Sequence, residues 1–141
     1  MICYFDTSAL VPLLIAEPSS DVCRRLWDDA DAVVTSRLAY VEAAAALAQA
    51  ARLGRLTPGA HRTARRILDR LWAELDVVEI DEPLVRGAAE LARRHALRGY
   101  GAVHCACADQ LVDRDLVVAA GDRELLRVCE SLGLAVADVN A

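Results

Sequence analysis

Short apolar runs that alternate with helical patterns restrict what this chain can fold into more than any other feature. Five runs have strand character, at residues 2–5, 32–35, 75–80, 116–120 and 134–139. They are nearly all apolar, which is typical of strands covered on both faces, and helical patterns separate them. This alternation predicts an α/β fold, a three-layer α/β/α sandwich around a mostly parallel sheet of four to five short strands.

The length suits one compact unit. A chain of 141 residues, 55% of them hydrophobic, can bury a core of its own, and no linker or repeat divides it, so we predict a single domain over residues 1–141. No apolar run approaches the roughly 18 residues that a membrane helix requires. The first strand contains no basic segment and runs into Asp6, which is unlike a secretory signal. We therefore expect a cytoplasmic protein without membrane contact.

Two aspartates occupy equivalent places in the predicted fold. Asp6 and Asp122 each follow an apolar strand and open a helix. Because the carboxyl ends of parallel strands form one edge of the sheet, we expect these two side chains to converge there. Glu42 is a third candidate, since it lies on a helix face made of alanine, leucine and valine and needs a polar partner. Ser8 can turn its hydroxyl either to the helix start or to a ligand of Asp6.

Three carboxylates brought together would repel one another unless a cation lay among them. Oxygen ligands suit Mg²⁺ or Mn²⁺, whose usual work is to activate water and to stabilise charge on a phosphate. The formal net charge of −5 argues against a broad basic surface, but a metal ion can itself supply positive charge. The alternative is that Asp6 only caps the helix that follows it.

Other folds that place acids at strand ends fit less well. All 16 basic residues are arginine, so the lysine of a response-regulator receiver domain is missing. A haloacid-dehalogenase-type phosphatase needs an aspartate two residues after Asp6, where this chain has Ser8. The five cysteines form no C-x-x-C pair, so we expect reduced core thiols rather than a zinc site.

Four segments resemble, in order and spacing, the motifs of PIN-domain ribonucleases, particularly the VapC toxins of bacterial toxin–antitoxin pairs. They are FDTSAL (5–10), LAYVE (38–42), LRGYGAVH (97–104) and GDRELL (121–126). The resemblance implies a PIN-like fold, a homodimer and a Mg²⁺- or Mn²⁺-dependent endoribonuclease. Such an enzyme would hydrolyse phosphodiester bonds in RNA such as tRNA or rRNA and be inhibited by a VapB-type antitoxin.

The same resemblance assigns roles to individual residues. Asp6, Glu42 and Asp122 match the acidic metal ligands of the family, and Ser8 matches its supporting hydroxyl. Gly101 stands where the family usually has a further aspartate, which implies weaker metal binding. A catalytically disabled PIN-fold module that still binds its antitoxin is therefore the alternative function.

Two further expectations concern neighbouring surfaces. The apolar helices near residues 9–14 and 41–53 are expected to form the groove that an antitoxin fills, although at least half of their residues should be ordinary core. His104 is expected to pack against its neighbours rather than to act as a base.

Overall fold

A fully parallel sheet of five strands forms the centre of the molecule. The computed structural model describes residues 1–112 and 114–141. The strands are β1 (Ile2–Phe5), β2 (Ala32–Ser36), β3 (Asp76–Val78), β4 (Leu116–Ala120) and β5 (Ala135–Asp138). Their order across the sheet is β3-β2-β1-β4-β5, and every neighbouring pair is parallel. The predicted α/β class and the predicted parallel sheet are confirmed.

Helices cover both faces of this sheet. They are α1 (Thr7–Leu10), α2 (Ser20–Asp29), α3 (Leu38–Arg52), α4 (Pro58–Glu74), α5 (Glu82–His95), α6 (Gly99–Asp109) and α7 (Arg123–Ser131), with a 3₁₀ turn at Val11–Leu13. Among the described residues, no helix is both long enough and apolar enough to cross a membrane.

Strand β1 divides the core because its side chains alternate between the two faces. Tyr4 packs into a cluster with residues of α5, α6 and α7, whereas Phe5 packs into a second cluster with residues of α1, α3 and α4. Both side chains are fully buried. All five cysteines are buried thiols, as predicted. The carboxyl end of β1 therefore emerges between two packed layers.

Three local boundaries differ from the sequence-based prediction. The sequence predicts a tight turn over residues 98–101 and a helix from residue 102 to 112. Helix α6 instead begins at Gly99, because the Arg98 carbonyl already accepts the Ala102 N–H at 2.8 Å. The predicted helix over residues 9–14 is α1 followed by the 3₁₀ turn, which contains Pro12. Strand β3 is shorter than the predicted residues 75–80, since the Leu75 N–H still bonds to the last turn of α4.

Candidate active site

The junction between β1 and α1 holds the first acid. Asp6 caps α1, and its Oδ1 accepts the Ala9 N–H at 3.2 Å and the Ser8 hydroxyl at 2.6 Å. The residue is only 5% exposed. Burial raises the pKa of Asp6 to about 6, although His104 and the hydrogen bonds from Ser8 and Ala9 act in the opposite direction.

The second acid lies at the equivalent junction, between β4 and α7. Asp122 caps α7, and its Oδ1 accepts the N–H groups of Glu124 and Leu125 at 3.0 and 3.2 Å. Ser8 connects the two junctions, because its Oγ also accepts the Gly121 N–H at 2.7 Å. The two strand ends are therefore neighbours, and the Ser8 hydroxyl bonds to both. The convergence of the two carboxylates themselves stays a prediction.

The third acid reaches the same place from a helix. Glu42, in the second turn of α3, accepts the Thr7 hydroxyl at 2.8 Å and the ring nitrogen Nε2 of His104 at 2.7 Å, both on Oε1. Burial alone would raise the pKa of Glu42, but these hydrogen bonds and the attraction of His104 outweigh it and lower the pKa. Because Thr7 follows Asp6 directly, the segment from 6 to 8 contains the first acid, bonds to Glu42, and bonds to Gly121, the residue before Asp122.

The interpretation of the sequence did not predict the hydrogen bonds around Glu42. Three polar residues take part in them, either directly or through a neighbour. Thr7 is one, His104 is the second, and Tyr4 is the third, since its hydroxyl lies 2.8 Å from Nδ1 of His104. His104 is buried, as expected, but both ring nitrogens have polar partners. The available signal in the sequence was His104 itself, a polar side chain among the mostly apolar residues of α6. A buried imidazole needs hydrogen-bond partners.

The three acids share one feature that suits a divalent cation. In each of them a single oxygen takes both hydrogen bonds, and within residues 1–112 and 114–141 no donor bonds to the other oxygen. Carboxylate oxygens of this kind are the ligands that Mg²⁺ and Mn²⁺ prefer. In the described part of the chain, however, no three His, Cys, Asp or Glu side chains are placed as a group that could hold a metal ion. The donor chemistry fits a divalent ion, and the acids would still have to gather around it.

Gly101 lies in the first turn of α6, one turn before His104. A Cβ atom built on Gly101 would have Leu97 Cδ2 as its nearest neighbour, at 4.0 Å, so a side chain has room there. The resemblance also implies threonine or serine at the end of β4, where this chain has buried Ala120 with only a methyl group. The site therefore has fewer polar side chains than the resemblance implies, and sterics do not force that choice at position 101.

Comparisons with known proteins agree with the fold. A family model described as PIN domain matches residues 3–131. Ribonuclease VapC45 of Mycobacterium tuberculosis is 46% identical over 134 residues, which are 95% of this chain and 93% of that protein. The crystal structure of PAE2754 from Pyrobaculum aerophilum has a TM-score of 0.71 and 26% identity, and covers 96% of this chain and 89% of its own. A structure described as a toxin–antitoxin complex from Klebsiella pneumoniae has a TM-score of 0.58 and 16% identity, with 82% and 83% covered.

Proposed function

Since the chain belongs to the PIN-domain family and, within it, to the VapC ribonucleases, we propose that it is a metal-dependent endoribonuclease toxin. Its reaction is the hydrolysis of phosphodiester bonds in RNA such as tRNA or rRNA. We assign residues 1–141 to a single PIN-like domain that acts in the cytoplasm, where such RNAs are found.

One observation carries this proposal. The segment from 6 to 8 contains Asp6, bonds to Glu42 through Thr7, and bonds through Ser8 to Gly121, the residue before Asp122. Each of the three acids keeps a carboxylate oxygen without a hydrogen-bond donor among the described residues. We propose that these three residues are the ligands of Mg²⁺ or Mn²⁺. Ser8 supports Asp6 through its hydrogen bond, and a bound ion would supply a water molecule of lowered pKa and positive charge for the phosphate.

The protein's own groups hold the acids for this task. The Ala9 N–H and the Ser8 hydroxyl keep Asp6 oriented, while the start of α7 does the same for Asp122. A fixed carboxylate loses little side-chain entropy when it binds an ion, so these bonds favour binding.

The alternative is a catalytically disabled PIN-fold module that still binds an antitoxin. Gly101 favours it, because the site lacks a carboxylate where the family usually has one, and the described acids form no ready metal-holding group. The two functions differ in a single measurement, which is cleavage of RNA in the presence of a divalent ion.

The decisive experiment is an RNA cleavage assay over a range of Mg²⁺ and Mn²⁺ concentrations, with Asp6→Ala as the control. The proposed enzyme cleaves RNA only with a divalent ion, and Asp6→Ala abolishes cleavage. Cleavage that survives the substitution would identify a contaminating nuclease. A wild-type chain that cleaves no RNA at any ion concentration would leave the binding module as the function.

A VapB-type antitoxin is the proposed partner, and a groove beside α3 is its proposed binding site. The groove has a volume of about 660 Å³ and is lined by residues of the 3₁₀ turn, the following loop and α3, among them Val11, Ile15 and Leu53. Leu53 is 57% exposed. An apolar segment of a partner could cover this surface, as helices do in other grooves. Together with the fold shared with a toxin–antitoxin complex, the groove supports this assignment.

Co-expression with the cognate antitoxin tests the partner. Leu53→Asp should weaken the complex measured by size-exclusion chromatography, because it places a charge in the groove. Val85→Asp, on the exposed face of α5, is the matched control. Equal loss of binding in both variants would contradict the assignment of this groove. The same chromatography would show whether the chain alone forms the homodimer that we propose.

A further inference from the structure

Two residues outside the set of acids form a buried chain of hydrogen bonds that ends on Glu42. Tyr4 lies in the middle of β1 and His104 lies in α6, and both are almost completely buried. The Tyr4 hydroxyl is 2.8 Å from Nδ1 of His104, and Nε2 of the same ring is 2.7 Å from Oε1 of Glu42. This chain connects the core of the sheet to an acid of the proposed metal site.

The direction of these hydrogen bonds follows from their chemistry. An ionised carboxylate can only accept, so the short contact with Oε1 requires a proton on Nε2 of His104. A tyrosine hydroxyl keeps its proton at neutral pH and can therefore donate. In the neutral ring Nδ1 is then the acceptor, and the Tyr4 O–H donates to it. Tyr4 therefore selects the ring form that can donate to Glu42.

The same contacts decide which oxygen of Glu42 is available. Oε1 accepts from Nε2 of His104 and from the Thr7 hydroxyl, which lies 2.8 Å from Oε1. The same Thr7 oxygen lies 3.2 Å from Nε2 of His104. Two polar atoms thus contact one carboxylate oxygen and also lie close to each other. Among the described residues, no donor bonds to Oε2, so that oxygen is the one that could bind an ion.

We propose that Tyr4 and His104 are positioning residues that hold the Glu42 carboxylate so that Oε1 faces the imidazole and Oε2 faces the divalent ion. This inference rests on the proposed function, because it assumes that Glu42 is a metal ligand. It adds two residues that touch neither the ion nor the RNA. Partners of this kind, which orient a ligand, typically change metal affinity by about 10- to 100-fold when they are removed.

Four variants distinguish the loss of a hydrogen bond that positions Glu42 from a loss of core packing. His104→Leu removes the donor, whereas His104→Gln keeps an N–H group near the place of Nε2. Tyr4→Phe leaves the imidazole in place but removes the partner of Nδ1. His61→Leu, in α4, is the matched control for the loss of an imidazole. The measurement is the affinity for Mn²⁺ alone, by electron paramagnetic resonance, with thermal unfolding to verify the fold of each variant.

We expect His104→Leu to weaken Mn²⁺ binding by about 10- to 100-fold, His104→Gln to recover most of the affinity, and Tyr4→Phe to lie between them. His61→Leu should bind as the wild type does. Equal affinity of His104→Leu and the wild type would overturn the inference. So would a His104→Gln variant as weak as His104→Leu, because packing rather than hydrogen bonding would then explain the loss.

A second readout needs no metal, and its main result comes from the wild type. Nitrogen-15 NMR of the labelled imidazole should show a proton on Nε2 of His104 in the wild type, and Tyr4→Phe should mix the two ring forms. An unprotonated Nε2 in the wild type would overturn the inference.

The outcomes for the two proposals can be told apart. A wild-type chain that shows the expected Mn²⁺ series but cleaves no RNA rejects the endoribonuclease and leaves the positioning role standing. A chain that cleaves RNA and binds Mn²⁺ equally well with His104→Leu rejects the positioning role alone. A wild type that binds no Mn²⁺ overturns the positioning role, since Glu42 would then have no ion to face.

Discussion

At the scale of single residues, the burial of Asp6 has a measurable cost. Its pKa is raised from 3.8 to about 6, chiefly because burial disfavours the charged form. Between these two pH values the folded chain binds more protons than the unfolded chain, so stability falls as the pH rises. Above pH 6 the whole penalty is present, unless a cation compensates the charge.

Asp6→Asn should relieve this penalty. In metal-free buffer at pH 7.5 we expect the free energy of unfolding to rise by roughly 1–3 kcal/mol, and the gain should shrink towards pH 4, where Asp6 is largely neutral in the folded chain. Asparagine keeps an oxygen for the hydrogen bonds from Ser8 and Ala9. Urea unfolding at both pH values measures the effect.

Asp28→Asn, on the exposed face of α2, is the control for this prediction and should change stability little at either pH. An Asp6→Asn variant that is no more stable than the wild type at pH 7.5 would contradict the account of Asp6. Saturating Mn²⁺ should reverse the ranking, because the wild type gains binding energy that the amide cannot.

At the scale of elements, the first turn of α6 is where this site departs most from the family pattern. Gly101 is the third residue of the helix and has room for a side chain. A negative charge near a helix N-terminus is favourable, so the helix itself would tolerate an aspartate there. The fold therefore does not explain the missing carboxylate.

Gly101→Asp should raise the affinity for Mn²⁺ and the rate of RNA cleavage, because it adds a carboxylate to the site. The measurements are side-by-side Mn²⁺ titrations and cleavage assays. Gly101→Asn has nearly the same shape without the charge, and it should give neither gain. Equal affinity and equal rate in the wild type and Gly101→Asp would reject the prediction.

Two substitutions of Asp122 separate its role as the N-cap of α7 from the effect of its negative charge. Asp122→Ala removes the acceptor of two backbone N–H groups and should lower stability by about 0.5–2 kcal/mol. Asp122→Asn keeps an acceptor and should stay close to the wild type in thermal unfolding, yet both variants should lose metal-dependent cleavage. If Asp122→Asn retained full cleavage, Asp122 would be a structural cap and not a ligand.

The elements that could be predicted from the sequence are those with a simple pattern. Strands β1 and β4 are continuous apolar runs, and parallel pairing places the residues after them, Asp6 and Asp122, at one edge. The start of α6 was predicted wrongly, because Gly99 and Gly101 are typical of turns and their helical conformation depends on the tertiary fold.

The contact between Glu42 and His104 was beyond sequence reasoning. These residues are 62 positions apart, and nothing in the pattern of α3 or α6 indicates which faces of the two helices meet. Glu42 was noticed as an acid on an apolar helix face, whereas His104 was expected only to pack against its neighbours. Their pairing required the packing of the helices on the sheet.

At the scale of the whole molecule, β1 is the element on which both layers depend. Phe5 is fully buried in the layer formed with α1, α3 and α4, and its ring lies edge-on to Trp27 with centroids 5.9 Å apart. Tyr4 points into the opposite layer. Damage to β1 should therefore affect the entire fold rather than one helix.

Phe5→Ala should lower the free energy of unfolding by about 3–5 kcal/mol, the usual effect of emptying a large core site. The free energy of unfolding of a domain of this size is only about 5–15 kcal/mol. The substitution would therefore remove a large share of it. Val85→Ala, at a half-exposed position of α5, should cost much less. Similar losses for both variants in urea unfolding would show that the layer around Phe5 is loosely packed.

The space beside Gly101 affects how the residue at this position can change during evolution. Codons for glycine and aspartate can differ by a single base, and the scaffold accommodates either residue. If aspartate at this position raises RNA cleavage as predicted above, a single base change can raise or lower the activity while the fold stays the same.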